Sequence, residues 1–96
     1  MKNQLIIPTA EPFFLQGNKI GCVLVHGFTG TPKEMRLMGR ALNDQGITVI
    51  GVRLAGHATN PRDIIRMRQQ DWLASVEDGY HFLHDRCTSI FLAGLS

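Results

Sequence analysis

Two short stretches of this sequence carry residue types able to do chemistry together. The first is Ile90-Phe91-Leu92-Ala93-Gly94-Leu95-Ser96, a β-type run passing straight into Gly-x-Ser. That is the first half of G-x-S-x-G, a sharp strand-to-helix turn that presents a serine hydroxyl as a nucleophile. Such a turn needs a small residue two places before the serine, and Gly94 supplies one. The second stretch is Cys22-Val23-Leu24-Val25-His26-Gly27-Phe28 followed by Thr29-Gly30, an apolar strand running into a glycine-containing turn. Acyl transfer requires backbone N–H donors aimed at the developing oxyanion, each worth about 3–4 kcal/mol. The Phe28 N–H is read as one such donor. The N–H of the residue after Ser96 would be its partner.

The elements that must position these residues follow from spacing. Residues 20–26 and 47–54 are runs rich in Val and Ile, of the kind buried on both faces of a parallel sheet, and residues 89–94 form a third. A helix is expected after the first strand. Thr31 is read as its cap, Pro32 as its first residue and Glu34 as the closing half of a capping box, with Met35, Met38, Ala41 and Leu42 on one face and Gly46 as the stop. A short helix is expected after Asn60-Pro61. A longer one is expected over residues 72–85, with Asp71 as cap and Leu73, Val76, Tyr80 and Leu83 at helical spacing. Residues 1–18 read as an irregular or edge-type lead-in. Strand–helix–strand–helix–strand gives a parallel sheet. If the first strand lies between the other two, the Phe28 turn and Ser96 share one rim, with strand ends about 4.8 Å apart. Ligands of open α/β sheets bind at that rim.

Composition narrows the classes. The 96 residues are 44% hydrophobic with a net charge of only +2, and the one basic cluster, Arg62, Arg66 and Arg68, encloses Asp63. No basic stripe with interleaved aromatics supports nucleic-acid binding. The turn after the first strand contains neither G-x-G-x-x-G nor a P-loop lysine, which argues against a nucleotide-binding domain. Cys22 and Cys87 have no close-spaced pattern, so they read as reduced thiols of a cytoplasmic protein rather than as a disulfide or zinc site. No segment reads as a signal peptide or membrane span. Doubly buried strands with so few partners suit the N-terminal part of a larger domain, on the order of 200 residues or more. Ser96 is therefore not expected to be the natural carboxyl terminus, and residues 1–96 are read as one portion of a single domain.

With these motifs in order, the chain resembles the bacterial carboxylesterase and monoacylglycerol lipase branch of the α/β-hydrolases. The resemblance covers residues 12–96. It rests on His26-Gly27-Phe28-Thr29-Gly30-Thr31-Pro32, Arg53-Leu54-Ala55-Gly56-His57, Asp71-Trp72 and Ala93-Gly94-Leu95-Ser96. It implies the N-terminal portion of a mostly parallel, doubly wound sheet. It also implies a serine hydrolase cleaving carboxylic esters, short- to medium-chain acyl esters or monoacylglycerols, through an acyl-enzyme on Ser96. The Phe28 N–H would serve the oxyanion hole, with His26, Gly27 and Gly94 in supporting roles and no metal or organic cofactor. One departure is Ala58, where the family usually carries a glycine.

In this family the acid and the histidine follow the serine in chain order. His26, His57, His81 and His84 all precede it. His26 is expected to support the oxyanion turn and His57 to brace a strand-end loop. His81 and His84 are expected on a solvated helix face, and Asp44, Asp63, Asp71, Asp78 and Asp85 at caps and surfaces. The Phe28 ring either lines an acyl pocket or packs. Peptidases and thioesterases of the same fold share the constellation, and a non-catalytic interaction module remains the alternative if the chain naturally ends at Ser96. The expected partners are a small acyl ester and the remainder of the same domain.

Overall fold

The computed structural model of the chain describes residues 6–95; Ser96 lies outside the described residues. Four strands make one sheet in the order β1-β3-β2-β4. Strand β1 (Phe13–Leu15) runs antiparallel at one edge, whereas β2 (Ile20–Val25), β3 (Thr48–Val52) and β4 (Ser89–Gly94) are mutually parallel. Strand β2 is central, with Gly21 to Val25 paired to Thr48 to Val52 on one side and Ile20 to Val25 paired to Ser89 to Gly94 on the other. The chain thus leaves β2 toward β3, then crosses back over β2 to reach β4. The point of reversal opens a crevice at the carboxyl ends of β2 and β4.

Two helices cover the two faces. A 3-10 turn (Pro32–Met35) leads into α1 (Arg36–Asp44), and α3 (Gln69–His84) returns across the other face. Alternation along β2 divides the core accordingly. Cys22 and Leu24 pack with Met35 and Val49 on the α1 side, and Val23 packs with Val52, Leu83 and Cys87 on the α3 side. Between β3 and α3 lies α2 (Arg62–Ile65), which starts where Asn60 Oδ1 accepts the Arg62 N–H at 2.9 Å.

Both long helices bury glycines rather than the apolar stripes that their periodicity suggests. Met38 and Ala41 of α1 face outward, and its inward residues are Gly39 and Leu42 behind Met35. A Cβ on Gly39 would stand 2.7 Å from the Phe13 ring. On α3, Leu73 and Tyr80 are exposed while Gly79 and Leu83 are buried, and a Cβ on Gly79 would meet Val52 Cγ1 at 2.5 Å. Close approach of helix to sheet selects the residue without a side chain, so the buried face turns away from the bulkiest residues.

Helix boundaries differ from the expected ones for a related reason. Helix α3 begins at Gln69, three residues before Trp72, and Asp71 acts from inside its first turn by accepting the Arg68 N–H at 2.8 Å. Gly46, at φ +94, ends the turn after α1 as its type predicts. On β4, Ile90 and Ala93 pack against the two halves of the core, but Phe91 and Leu92, on opposite faces of the sheet, are 61% and 62% exposed, so each face of this strand is only partly covered among the described residues.

Candidate active site

The turn after β2 contains four successive N–H groups, and three of them are engaged. Gly27 N–H donates to Glu34 Oε1 at 2.6 Å, Thr29 N–H to His57 Nε2 at 3.0 Å, and Gly30 N–H to the Gly27 carbonyl at 2.8 Å. The Phe28 N–H has no acceptor among the described residues. The Gly27–Phe28 peptide that carries it is fixed at its other end. The Gly27 carbonyl accepts from His26 Nδ1 at 2.9 Å as well as from Gly30. Because a peptide unit is planar, two hydrogen bonds on the oxygen aim the N–H opposite.

Glu34 does not close the capping box expected of it. Thr31 Oγ1 does accept the Lys33 N–H, at 3.2 Å, but the Glu34 carboxylate reaches the Gly27 N–H instead of the cap residue's own. The turn wraps over the start of the 3-10 segment, and this brings Gly27 and Gly30 against the carboxylate. A Cβ on Gly30 would sit 2.6 Å from Glu34 Oε2. Thr29, β-branched and at φ +66, occupies the third position of the 27–30 turn, where type II geometry ordinarily takes glycine. Its N–H bond to His57 holds it there.

His26 and His57 are 1% and 0% exposed, with ring centroids 5.0 Å apart. Each bridges backbone to backbone. His26 Nε2 accepts the Leu54 N–H at 3.1 Å while Nδ1–H donates to Gly27 O. His57 Nε2 accepts the Thr29 N–H while Nδ1–H donates to Ala55 O at 3.0 Å. A nitrogen facing an N–H must carry a lone pair, so both rings are neutral with the proton on Nδ1. Burial pushes the His26 imidazole below its ordinary value, against the smaller opposing effect of its bond to Gly27. With both nitrogens occupied, neither ring is free to take a proton from a nucleophile.

The loop that follows β3 is stapled to α3. Trp72 Nε1 donates to Ala55 O at 3.1 Å, Ala55 N–H donates to Ser75 Oγ at 3.0 Å, and Arg53 Nη1 holds the His57 carbonyl at 3.0 Å. Ala58, the departure noted in the sequence, stands at φ +60, in the left-handed region that glycine enters freely. Arg53, Ser75 and above all Glu34 are the residues that sequence reasoning did not assign to this network. Their acceptors and donors are backbone groups that only folding brings near.

Toward solvent the site is apolar. The Phe28 ring is 59% exposed and stands edge-on to Trp72 and His57 at centroid distances of 5.0 and 5.6 Å. A cleft of about 350 Å3 lies between it and α2, lined by Phe28, Ala58, Pro61, Ile64 and Ile65. A second, of about 520 Å3, is lined by Val25, Leu54, Trp72, Leu73 and Val76.

At the end of β4, Gly94 pairs with Val25, and the Leu95 N–H donates to the Val25 carbonyl at 3.0 Å. A Cβ on Gly27 would lie 3.5 Å from the Leu95 carbonyl oxygen, so the residue preceding Ser96 in the chain lies against the Phe28 turn. A Cβ on Gly94 would meet only ordinary contacts, the nearest 3.6 Å away at Val25 O. The crowding expected at that position is not seen among the described residues. His81 and His84 are exposed on α3, and no cluster of metal-ligating side chains occurs among the described residues. Cys22 is buried in the core, which raises its thiol pKa and keeps it protonated. No helix among the described residues is long and apolar enough to cross a membrane.

A central parallel strand flanked at its carboxyl end by this turn and by Gly94-Leu95 is part of the α/β-hydrolase fold. No protein-family model matches the chain. Among curated proteins it is similar to the thermostable monoacylglycerol lipase of Bacillus sp. (strain H-257), with 47% identity over 91 residues, 95% of this chain and 36% of that protein. It is also similar to a carboxylesterase of Bacillus subtilis (strain 168), with 35% identity over 91 residues, 94% of this chain and 37% of that one. Among solved structures, one of the metagenome-derived lipolytic enzymes LipS and LipT superposes with a TM-score of 0.91 at 37% identity, covering 95% of this chain and 37% of its own. In sequence and fold the chain is similar to the corresponding part of these monoacylglycerol lipase, carboxylesterase and lipolytic proteins. It spans little more than a third of the length of these relatives, 36% and 37% for the curated pair.

Proposed function

We propose that this chain forms the N-terminal part of a serine hydrolase that cleaves carboxylic esters. Ser96 attacks the ester carbonyl, and the tetrahedral oxyanion is held by the Phe28 N–H together with the N–H that follows Ser96. The observation that carries the reading is the engagement of the Gly27, Thr29 and Gly30 amides, which leaves Phe28 as the donor of this turn without an acceptor among the described residues, beside the end of β4. The general base and the acid that orients it come from elsewhere in the domain, since His26 and His57 are spent on backbone groups and His81 and His84 lie on the exposed side of α3. The exposure of Phe91 and Leu92 on opposite faces of β4 supports the same view of a larger domain. The names of the relatives favour esters over peptides or thioesters, with monoacylglycerols among the substrates; short- to medium-chain acyl esters are the other substrates in this reading. The apolar clefts beside Phe28 and Trp72 suit an acyl chain. The reaction so described draws on no metal or organic cofactor. The two buried cysteines, both unpaired, accord with a cytoplasmic protein.

Serine-directed fluorophosphonate labelling of the full-length protein tests this. Label is expected on Ser96 and absent in Ser96→Ala of unchanged fold. Label on Ser75 or Ser89 instead, or undiminished label in the variant, would defeat the assignment.

A further inference from the structure

Glu34 has no role in the mechanism just described, yet its carboxylate is committed to the turn that carries the oxyanion donor. Oε1 takes the Gly27 N–H at 2.6 Å, and the carboxylate lies against Gly30, the residue that closes the same turn. Gly27 is the softest joint in this segment, because a glycine turns freely about φ and ψ. Its carbonyl, in the Gly27–Phe28 peptide, is held by His26 and Gly30; its N–H, in the preceding His26–Gly27 peptide, is held among the described residues by Glu34 alone. Without that second anchor the His26–Gly27 peptide can turn about Gly27, the two bonds on the Gly27 carbonyl must hold the next peptide by themselves, and the aim of the Phe28 N–H loosens.

We infer that Glu34 is a positioning residue for the oxyanion donor: its carboxylate clamps the Gly27 amide so that the Phe28 N–H keeps its aim. This rests on the hydrolase reading above and deepens it. The contact is of the strong kind, short and charge-assisted. What the clamp requires is an acceptor oxygen. The negative charge itself, one residue from the oxyanion donor, opposes rather than assists a developing oxyanion. Acceptor and charge therefore separate cleanly by substitution. Glutamine keeps an oxygen at the same reach and drops the charge, while alanine removes both. Glu34 is exposed and outside the core, so neither change threatens the fold.

The test uses the full-length enzyme with p-nitrophenyl butyrate as substrate, and compares wild type, Glu34→Ala and Glu34→Gln. Alanine is expected to lower kcat roughly tenfold with KM within about twofold, and to slow fluorophosphonate labelling of Ser96 by the same factor. Glutamine is expected to restore at least a third of the wild-type kcat, roughly, with melting temperatures alike in all three proteins. Three results overturn the inference: wild-type kcat in Glu34→Ala, an equal loss in both variants, or a change confined to KM. A wild-type enzyme that neither hydrolyses the ester nor takes the label sinks the hydrolase reading itself, a different outcome from a labelled, active enzyme indifferent to Glu34.

Discussion

Replacing His57 by phenylalanine should separate activity from stability. Phenylalanine keeps the edge-on contacts with Phe28 and Trp72 and nearly the volume of the ring, which is 0% exposed, but removes both nitrogens. Ala55 O loses one donor and keeps Trp72 Nε1–H at 3.1 Å, so it stays satisfied. The Thr29 N–H loses its only acceptor among the described residues. An unpaired, partly buried N–H costs about 1–3 kcal/mol. Against this, Thr29 at φ +66 holds strain of about 1–2 kcal/mol that the freed turn can release. The net loss of stability is therefore small, at most about 2 kcal/mol, or up to roughly 8 °C in Tm for a domain of about 150–250 residues. Release of the strain turns the Phe28–Thr29 peptide, however, and this pulls on the preceding Gly27–Phe28 peptide, which carries the proposed oxyanion donor. Misaiming one donor forfeits part of the ~3–4 kcal/mol it supplies, so kcat should fall about 10- to 100-fold with KM little changed. Steady-state kinetics and differential scanning calorimetry on the full-length protein measure both. An unaltered kcat beside the lowered Tm, or a loss expressed wholly in KM, would refute the coupling between His57 and the Phe28 turn.

Ala58→Gly should raise stability by about 0.5–1 kcal/mol, because relief at φ +60 exceeds the added chain entropy; a lower Tm would contradict this. His26, neutral and held below its ordinary value chiefly by burial, should titrate in the native protein with a midpoint under about 6.5, followed by NMR of its ring nitrogens. Its unfolded form binds the proton more readily, so this contribution to stability is intact above about pH 6.5 and is lost as pH falls through the lower, native value; a native midpoint at or above 6.5 would overturn the sign. Gly79→Val should cost about 2–3 kcal/mol, since its first side-chain atom already meets Val52 and Val23 at 2.5 and 3.2 Å, and a Tm equal to wild type would show that α3 shifts freely.

The chain's local patterns determined the elements and put its two candidate motifs at strand ends. Runs of Val and Ile buried on both faces announce parallel strands, Gly46 stops a helix, and His26-Gly27-Phe28 and Gly94-Leu95 each sit at a strand's carboxyl end. These are short-range facts, fixed by side-chain shape and by backbone freedom over a few residues. Periodicity misjudged the buried faces of α1 and α3, because it counts apolar residues and cannot see that Phe13 needs the space at Gly39, or Val52 the space at Gly79. It likewise assigned Glu34 to a local capping box, where the folded turn offers a nearer donor at Gly27. The histidines show the same division most clearly. Their types and positions were plain in the sequence, but the groups that occupy all four ring nitrogens include Thr29 for His57 and Leu54 for His26, each 28 residues away. Contacts across that separation exist only once β2 and β3 lie side by side, and so the tertiary structure alone decides that these rings hold the backbone and keep no nitrogen free to take a proton.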